Sequence, residues 1–288
     1  MDTASAAAPR TTPWSGNRMG RRLVVALSYP LFLLLNRPGL QWFARAAYDF
    51  ALRCNGVAIN FPGAHGLTVG EERFLRKLLN GETGGVLFDV GANNGAYTRF
   101  MRLVSSSAQI YAFEPHPRTF AALRDRTVAD AKLVLVNKAV SDTEGAIKLY
   151  DFAAQDGSTQ ASLDEDAVRL FTADTVAHDV LATTIDGFMA EQGLREIRFL
   201  KIDTEGFDIA VLRGARSALA ARAIGAIQFE FIPANIARHV TMRDFFEVLD
   251  GYTIHRLCMN GALAPLVPYD VKRCEIYVTH NLVALPNR

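Results

Sequence analysis

The chain has 288 residues, half of them apolar and 21% charged, an ordinary globular composition with enough apolar surface for one substantial core. Its formal net charge of +1 provides no strong field for a nucleic-acid partner, so any basic patch has to be local. Its three cysteines, Cys54, Cys258 and Cys274, form neither a Cys-x-x-Cys motif nor a Cys/His cluster. That pattern argues against a zinc site, yields no metal ligands, and suits a reduced compartment.

Residues 1–22 are rich in Ala, Ser, Thr, Pro and Gly, carry four arginines, and are expected to be disordered. Leu23 to Leu35 is an apolar run broken by Ser28, Tyr29 and Pro30, too short for a conventional membrane span. Leu40, Phe43, Ala47, Phe50 and Cys54 then recur at spacings of three and four, which predicts an amphipathic helix. Three readings of this region stay open: a helix pair docked on the catalytic domain, a membrane-surface anchor, and a signal or spanning segment. A turn-rich connector, Asn55 to Gly66, ends an N-terminal extension of residues 1–66, and residues 67–288 form the domain that carries the chemistry.

Thr68 and Glu71 have capping-box spacing, opening a helix through Phe74, Leu75 and Leu78 that is expected to end at Gly81. From Gly84 onward, short apolar runs alternate with amphipathic stretches. Val86 to Val90, Gln109 to Phe113, Leu133 to Val136, Ile197 to Ile202 and Ala226 to Phe231 read as buried strands. The alternation predicts an α/β, Rossmann-like fold with a mostly parallel, doubly wound sheet. Tyr252 to Leu257 and Glu275 to Thr279 read instead as a C-terminal antiparallel hairpin, because only a turn-rich segment separates them. Asp151 to Asp179 and Pro233 to Met242 read as irregular.

Asp89-Val90-Gly91-Ala92-Asn93-Asn94-Gly95 lies directly after the first strand and directly before a helix. Gly91 and Gly95 allow a sharp turn and close approach of a ligand. Glu114, at the end of the second strand, can accept hydrogen bonds from two ribose hydroxyls. Together these residues indicate an adenosine-type cofactor without deciding which one. Ala92 and Asn93 stand where a pyrophosphate loop wants its second glycine, and Asp89 would repel phosphate yet attract an amino group or a sulfonium. A second signal, Phe199-Leu200-Lys201-Ile202-Asp203-Thr204-Glu205-Gly206-Phe207-Asp208, ends the fourth strand. Asp203 and Glu205 are the candidate catalytic pair, suited to orienting a donor, removing an acceptor proton or holding a cation, although they can equally cap the following helix. His116 reads chiefly as a loop residue, and His239 as an acceptor-side candidate.

The ordered set Asp-Val-Gly-Ala-Asn-x-Gly-x-x-Thr at 89–98, Phe-Glu-Pro at 113–115, Asn137 with Ala139 to Asp142 and Gly145, Thr-Ile-Asp at 184–186, Leu-Lys-Ile-Asp-x-Glu-Gly at 200–206, Val211 to Ala215 and Glu230 resembles the FkbM-type methyltransferases. The resemblance spans about residues 84–280 and departs at His116, where the family often has Asn, and at Asp208, where it often has Glu. It implies a class I methyltransferase fold, S-adenosylmethionine as donor, and O-methylation of polyketide, sugar or glycolipid hydroxyls. It also implies that Asp89, Gly91 and Gly95, with Ala92 and Asn93 between them, lie at the donor's methionine part, Glu114 at its ribose, and Asn137 to Ala139 at its adenine.

The expected function is therefore methylation of a small-molecule, glycan or lipid-linked acceptor, without nucleic acid. The alternatives are a nicotinamide-dependent oxidoreductase, for which no Tyr-x-x-x-Lys is present, and a non-catalytic membrane-tethered scaffold. A donor made inside cells and unpaired cysteines predict a cytoplasmic protein, with peripheral contact to the membrane's inner face through the N-terminal segment.

Overall fold

A computed structural model describes residues 18–80, 84–127, 130–154, 157–158, 161–163, 165–169 and 172–287. Most of the stretch expected to be disordered, and Gly81 as a helix end, lie outside these residues. Two helices come first, α1 (Arg18–Leu35, with Pro30 inside) and α2 (Gln41–Cys54), joined by a 3-10 turn at Pro38–Leu40. Residues 18–22, expected to be disordered, are thus helical and form the first turn of α1. The amphipathic helix expected from Leu40 to Cys54 is α2. None of its residues is buried, and Trp42, Phe50, Leu27 and Leu33 are each more than half exposed. Val57 is a buried side chain, and Ala58 N–H donates to the Thr279 carbonyl.

The capping box forms as expected: the Thr68 side chain accepts from Glu71 N–H while the Glu71 carboxylate accepts from Thr68 N–H, opening α3 (Val69–Leu79). Strands and helices then alternate as β1 (Val86–Val90), α4 (Ala96–Val104), β2 (Gln109–Phe113), α5 (Pro117–Arg126) and β3 (Leu133–Val136). Next come β4 (Ala139–Val140), β5 (Gly145–Phe152), α6 (Glu165–Arg169), β6 (Thr175–Thr183) and α7 (Ile185–Glu191). The second half holds β7 (Phe199–Ile202), α8 (Asp208–Arg213), α9 (Arg216–Ala220), β8 (Ile227–Phe231), α10 (Ala234–Ala237) and α11 (Met242–Val248). It closes with β9 (Tyr252–Leu257), β10 (Leu263–Pro265), α12 (Val271–Cys274) and β11 (His280–Pro286).

Eight strands form the main sheet in the order β10-β9-β11-β8-β7-β1-β2-β3. The run from β8 to β3 is parallel, while β11 lies antiparallel to both β8 and β9. Successive side chains of the central strands feed two cores, as strands buried on both faces require. On β1, Phe88 and Val90 join Phe113 and Phe188 on one face, and Leu87 joins Phe74, Phe100 and Phe199 on the other.

Three expectations about the domain change, the first being Pro233 to Met242, read as irregular, which holds the short helix α10 at Ala234–Ala237. The second strand of the terminal pair is β11 at 280–286, not 275–279, because Glu275, Ile276 and Val278 N–H donate locally, to the Val271, Cys274 and Ile276 carbonyls, and not to a neighbouring strand. The stretch read as irregular between Asp151 and Asp179 contains the end of β5 and the start of β6, antiparallel partners from Gly145 with Ala182 to Phe152 with Thr175. With β4 they form a separate three-stranded sheet that buries Ala139, Leu149 and Val180.

Chain order reverses between β1 and β7, which are hydrogen-bonded neighbours whose successors run to opposite sides of the sheet. Loops at the carboxyl ends of these strands therefore diverge and leave a crevice, the place where open α/β sheets bind ligands.

Candidate active site

The crevice holds a cavity of about 300 Å³ lined by residues from both halves of the sheet. Its first wall is the turn after β1. Gly91 and Ala92 N–H both donate to the Phe113 carbonyl, at 3.0 and 2.9 Å, which folds the loop back over β2. Gly91 has φ +77, and a Cβ there would overlap the Asp203 carbonyl oxygen, so only glycine fits between the two strand exits. Asn93 is left-handed (φ +48), and its N–H donates to Glu114 Oε2 at 2.9 Å. Gly95, also left-handed, opens α4.

Glu114 is 6% exposed, and its other oxygen accepts from His116 N–H at 2.9 Å. Burial pushes its carboxyl up to about 7, against the pull of these two hydrogen bonds. Asn137 does not line the cavity: its side-chain amide donates to the Glu114 and Pro115 carbonyls, at 2.8 and 3.0 Å, and so holds the loop after β2. Lys138, Ala139 and Val140 form the wall beyond it, with Leu149 of β5. Asp89 is also absent from the lining. It is fully buried, accepting from the Thr98 hydroxyl at 2.5 Å and lying 3.5 Å from the Lys201 ammonium. Gly95 likewise shapes the turn from behind. Of the sequence candidates, Gly91, Ala92, Asn93, Glu114, Ala139, Asp203 and Glu205 line the cavity together.

His116 caps α5, with Nδ1 accepting from Thr119 N–H, and its Nε2 lies 3.6 Å from Asp151 Oδ2. Asp151 in turn accepts from Gly157 N–H and from both the N–H and hydroxyl of Ser158, tying this part of the wall to the ribose-side loop. His239 is exposed at φ +53 and does not line the cavity.

The opposite wall is acidic. Lys201 of β7 is buried between Asp89 and Asp203, the latter at 3.1 Å. Burial alone would lower its pKa, but Asp203 and Asp89 more than offset that and hold the ammonium above its ordinary value. Glu205 follows at φ +52, its carbonyl accepting from Ser162 Oγ. Burial, Asp203 and Asp208 push the Glu205 carboxyl up to about 8. Asp208 accepts from Thr204 N–H and hydroxyl and from Glu230 N–H.

Sequence reasoning missed several lining residues: Tyr97, Glu71, Lys201, Ser158 and, as a site residue, Glu230. Tyr97 donates to Gln228, whose amide donates to Glu71, so the helix cap of α3 also anchors the cavity floor. Only the apolar strand context of Lys201 hinted that its charge would need partners.

The cavity thus pairs a glycine turn and a buried ribose-type carboxylate with an apolar wall and a carboxylate-rich side that favours a cation. Against known families, residues 89–252 match the model for the methyltransferase FkbM domain. The chain belongs to this family. Its FkbM-type domain has the class I methyltransferase fold, with S-adenosylmethionine as cofactor. That leaves no ground for the nicotinamide alternative.

Among similar proteins, the 31-O-demethyl-FK506 methyltransferase FkbM of Streptomyces tacrolimicus is 29% identical over 170 residues, covering 50% of this chain and 65% of that protein. The 2-O-methyltransferase NoeI of Sinorhizobium fredii is 27% identical over 142 residues, 46% of this chain and 58% of its own. The hexuronic acid methyltransferase AglP of Haloferax volcanii is 28% identical over 152 residues, 52% and 58% respectively. The chain thus matches about three fifths of the length of these relatives. The solved precorrin-6y C5,15-methyltransferase of Geobacter metallireducens aligns over 75% of this chain and 87% of its own, with a TM-score of 0.41 and 11% identity.

Proposed function

We propose that this protein transfers the methyl group of S-adenosylmethionine to a hydroxyl oxygen of a sugar, glycolipid or other small metabolite, through a domain of residues 67–288. The observation that carries the reading is the convergence, in one cavity, of the Gly91–Asn93 turn and Glu114 with the carboxylate-bearing exit of β7. The relatives' printed activities on 31-O-demethyl-FK506 and a hexuronic acid, and the 2-O-methyltransferase name, support oxygen as the accepting atom.

When bound, S-adenosylmethionine supplies an electrophilic methyl on a positively charged sulfur. Glu114 accepts from the ribose hydroxyls with the lone pairs its two backbone donors leave free. Gly91, Ala92 and Asn93 receive the methionine part, with Gly95 holding the turn and Asp89 fixing it through Thr98 and Lys201. Ala139 and its neighbours cover the adenine, and Asn137 keeps their loop in place. Asp203, held by Lys201, and Glu205 face the acceptor and orient its hydroxyl, so that catalysis draws mostly on positioning. Calorimetry with S-adenosylmethionine and S-adenosylhomocysteine tests this: wild type binds both, and Glu114→Ala weakens both at least ~10-fold, the cost of a lost charged hydrogen bond. Absence of binding at millimolar ligand sinks the reading.

The cytosolic side of a membrane is the proposed location, since the donor is made and used inside cells. Among the described residues no helix is long and apolar enough to cross a membrane. Yet α1 and α2 expose Leu27, Leu33, Trp42 and Phe50 beside Arg37, Arg45 and Arg53, which suits an interfacial contact with anionic lipid and an acceptor carried on lipid. Sedimentation of the full chain with phosphatidylglycerol vesicles but not phosphatidylcholine vesicles, lost in a Trp42→Ser/Phe50→Ser variant, is the expected result. No sedimentation with either vesicle removes the lipid contact.

A further inference from the structure

Four of the carboxylates around the acceptor side have side-chain partners. Asp89 and Asp203 share Lys201, Asp208 is filled by Thr204 and by the Glu230 backbone, and Glu71 serves Thr68 and Gln228. Glu205 is fixed through its backbone, whose carbonyl accepts from Ser162 Oγ. Glu230 differs. It lies near the carboxyl end of β8, with its backbone pinned on one side by Asp208 and on the other by pairing with Asn281 of β11. Its side chain projects to the same face as Gln228, away from the core occupied by Phe229 and Phe231, and lines the cavity. Among the described residues that carboxyl takes part in no hydrogen bond or ion pair. The groups around it are Asp203 of β7, Glu71 of α3, Asp208 of α8 and Glu205 on the turn between them. The nearby ammonium, Lys201, is already placed between two other carboxylates.

A carboxyl carried on pinned backbone in acidic surroundings, without a partner of its own, is placed to respond when positive charge arrives. Burial, reinforced by these neighbours, pushes Glu230 well above the usual carboxylate range. We propose that Glu230 is the proton acceptor of the transfer and is armed by the donor: entry of a cationic donor into this cluster of carboxylates draws a proton off Glu230, which then takes the proton of the acceptor hydroxyl. This rests on the methyl-transfer reading above. In the step, the C–S bond breaks with its electron pair left on sulfur, a C–O bond forms from an oxygen lone pair, and the hydroxyl proton passes to the Glu230 carboxylate. The positive charge that armed Glu230 disappears in the same event, so the carboxyl ends in the protonated form its surroundings favour. That proton leaves to solvent when the next donor binds.

S-adenosylmethionine and S-adenosylhomocysteine differ by one methyl and one positive charge, so comparing them isolates the arming step. Calorimetric titrations near neutral pH, in buffers of low and high ionisation enthalpy, count the protons released on binding. S-adenosylmethionine is expected to release roughly one proton more than S-adenosylhomocysteine, the count that linkage assigns to one carboxyl. Glu230→Gln is expected to abolish that difference while both ligands still bind, and Glu205→Gln to keep it. In wild-type protein, infrared difference spectra should lose a protonated-carboxyl stretch with the cationic ligand only, a readout independent of how any variant folds. Equal proton release for the two ligands overturns the inference, as does a difference that survives Glu230→Gln or vanishes only in Glu205→Gln. Failure of both ligands to bind refutes methyl transfer itself and takes the arming of Glu230 with it.

Discussion

Replacing Lys201 with Met keeps the length of the side chain and removes its charge. The Lys201 ammonium is 3.5 Å from Asp89 and 3.1 Å from Asp203. At an effective dielectric constant of ~20 each attraction is roughly 5 kcal/mol. Half of that sum needs a discount, because the Asp203 side chain is 37% exposed and screened by water. Desolvating the ions costs several kcal/mol apiece, so the intact triad contributes little net stability. Breaking it is another matter. Asp89 is fully buried, and its Oδ1 has no hydrogen-bond partner, only the nearby ammonium. Lys201→Met should therefore cost about 3–5 kcal/mol, read from urea unfolding by linear extrapolation. Adding Asp89→Asn removes the orphaned charge, so the double variant should be more stable than Lys201→Met alone. A loss below ~1 kcal/mol, or strict additivity in the cycle, would refute the argument that this ammonium exists to neutralise the floor of the site.

Two further outcomes follow from the cofactor side. Gly91→Ala places a Cβ against the Asp203 carbonyl and costs about 1–2 kcal/mol in backbone strain before any clash is relieved, so S-adenosylhomocysteine affinity should collapse in calorimetry. Gly95→Ala, whose Cβ meets side-chain ends of Leu123, Arg99 and Thr127 rather than backbone, should be milder, and equal losses would contradict this account of the turn. Glu114, raised from 4.5 to about 7, binds a proton in the folded state that the unfolded chain has already lost between those values. Its contribution to stability therefore falls as pH rises through that window, by about 3 kcal/mol in all. Glu114→Gln should flatten that part of a urea-unfolding pH series, and an unchanged slope would show that the carboxyl is not desolvated as described.

The first β-α-β unit was legible because its signals are local: an apolar run, a glycine turn and an acid at the end of the next strand all lie within one stretch of chain. The hairpin of β5 and β6 was not. Its period-two pattern at Ile147 and Leu149 is diluted by Ala177 and Asp179, tolerated because one face of this small sheet looks outward, and by Asp151, which is buried but held by Gly157 and Ser158. Long-range pairing hid the rest of the site. Glu71 read only as a helix cap, yet its second oxygen serves Gln228 on a distant strand. Asp89 read as a ligand contact, and the partners that occupy it, Thr98 and Lys201, come together only once β1 and β7 pair.

The place of β11 in the main sheet constrains how the molecule is made. This strand is the last in chain order, yet it fills the gap between β8 and β9. Until it emerges from the ribosome, the strand bearing Glu230 has an open flank of unpaired amides and carbonyls, a template for pairing with another nascent chain. The donor-side loops, built from β1, β2 and β3, can assemble much earlier in synthesis. Binding of the donor can thus precede completion of the acceptor wall, and stalling a ribosome just before residue 280 should yield a chain that captures S-adenosylhomocysteine yet remains prone to aggregate.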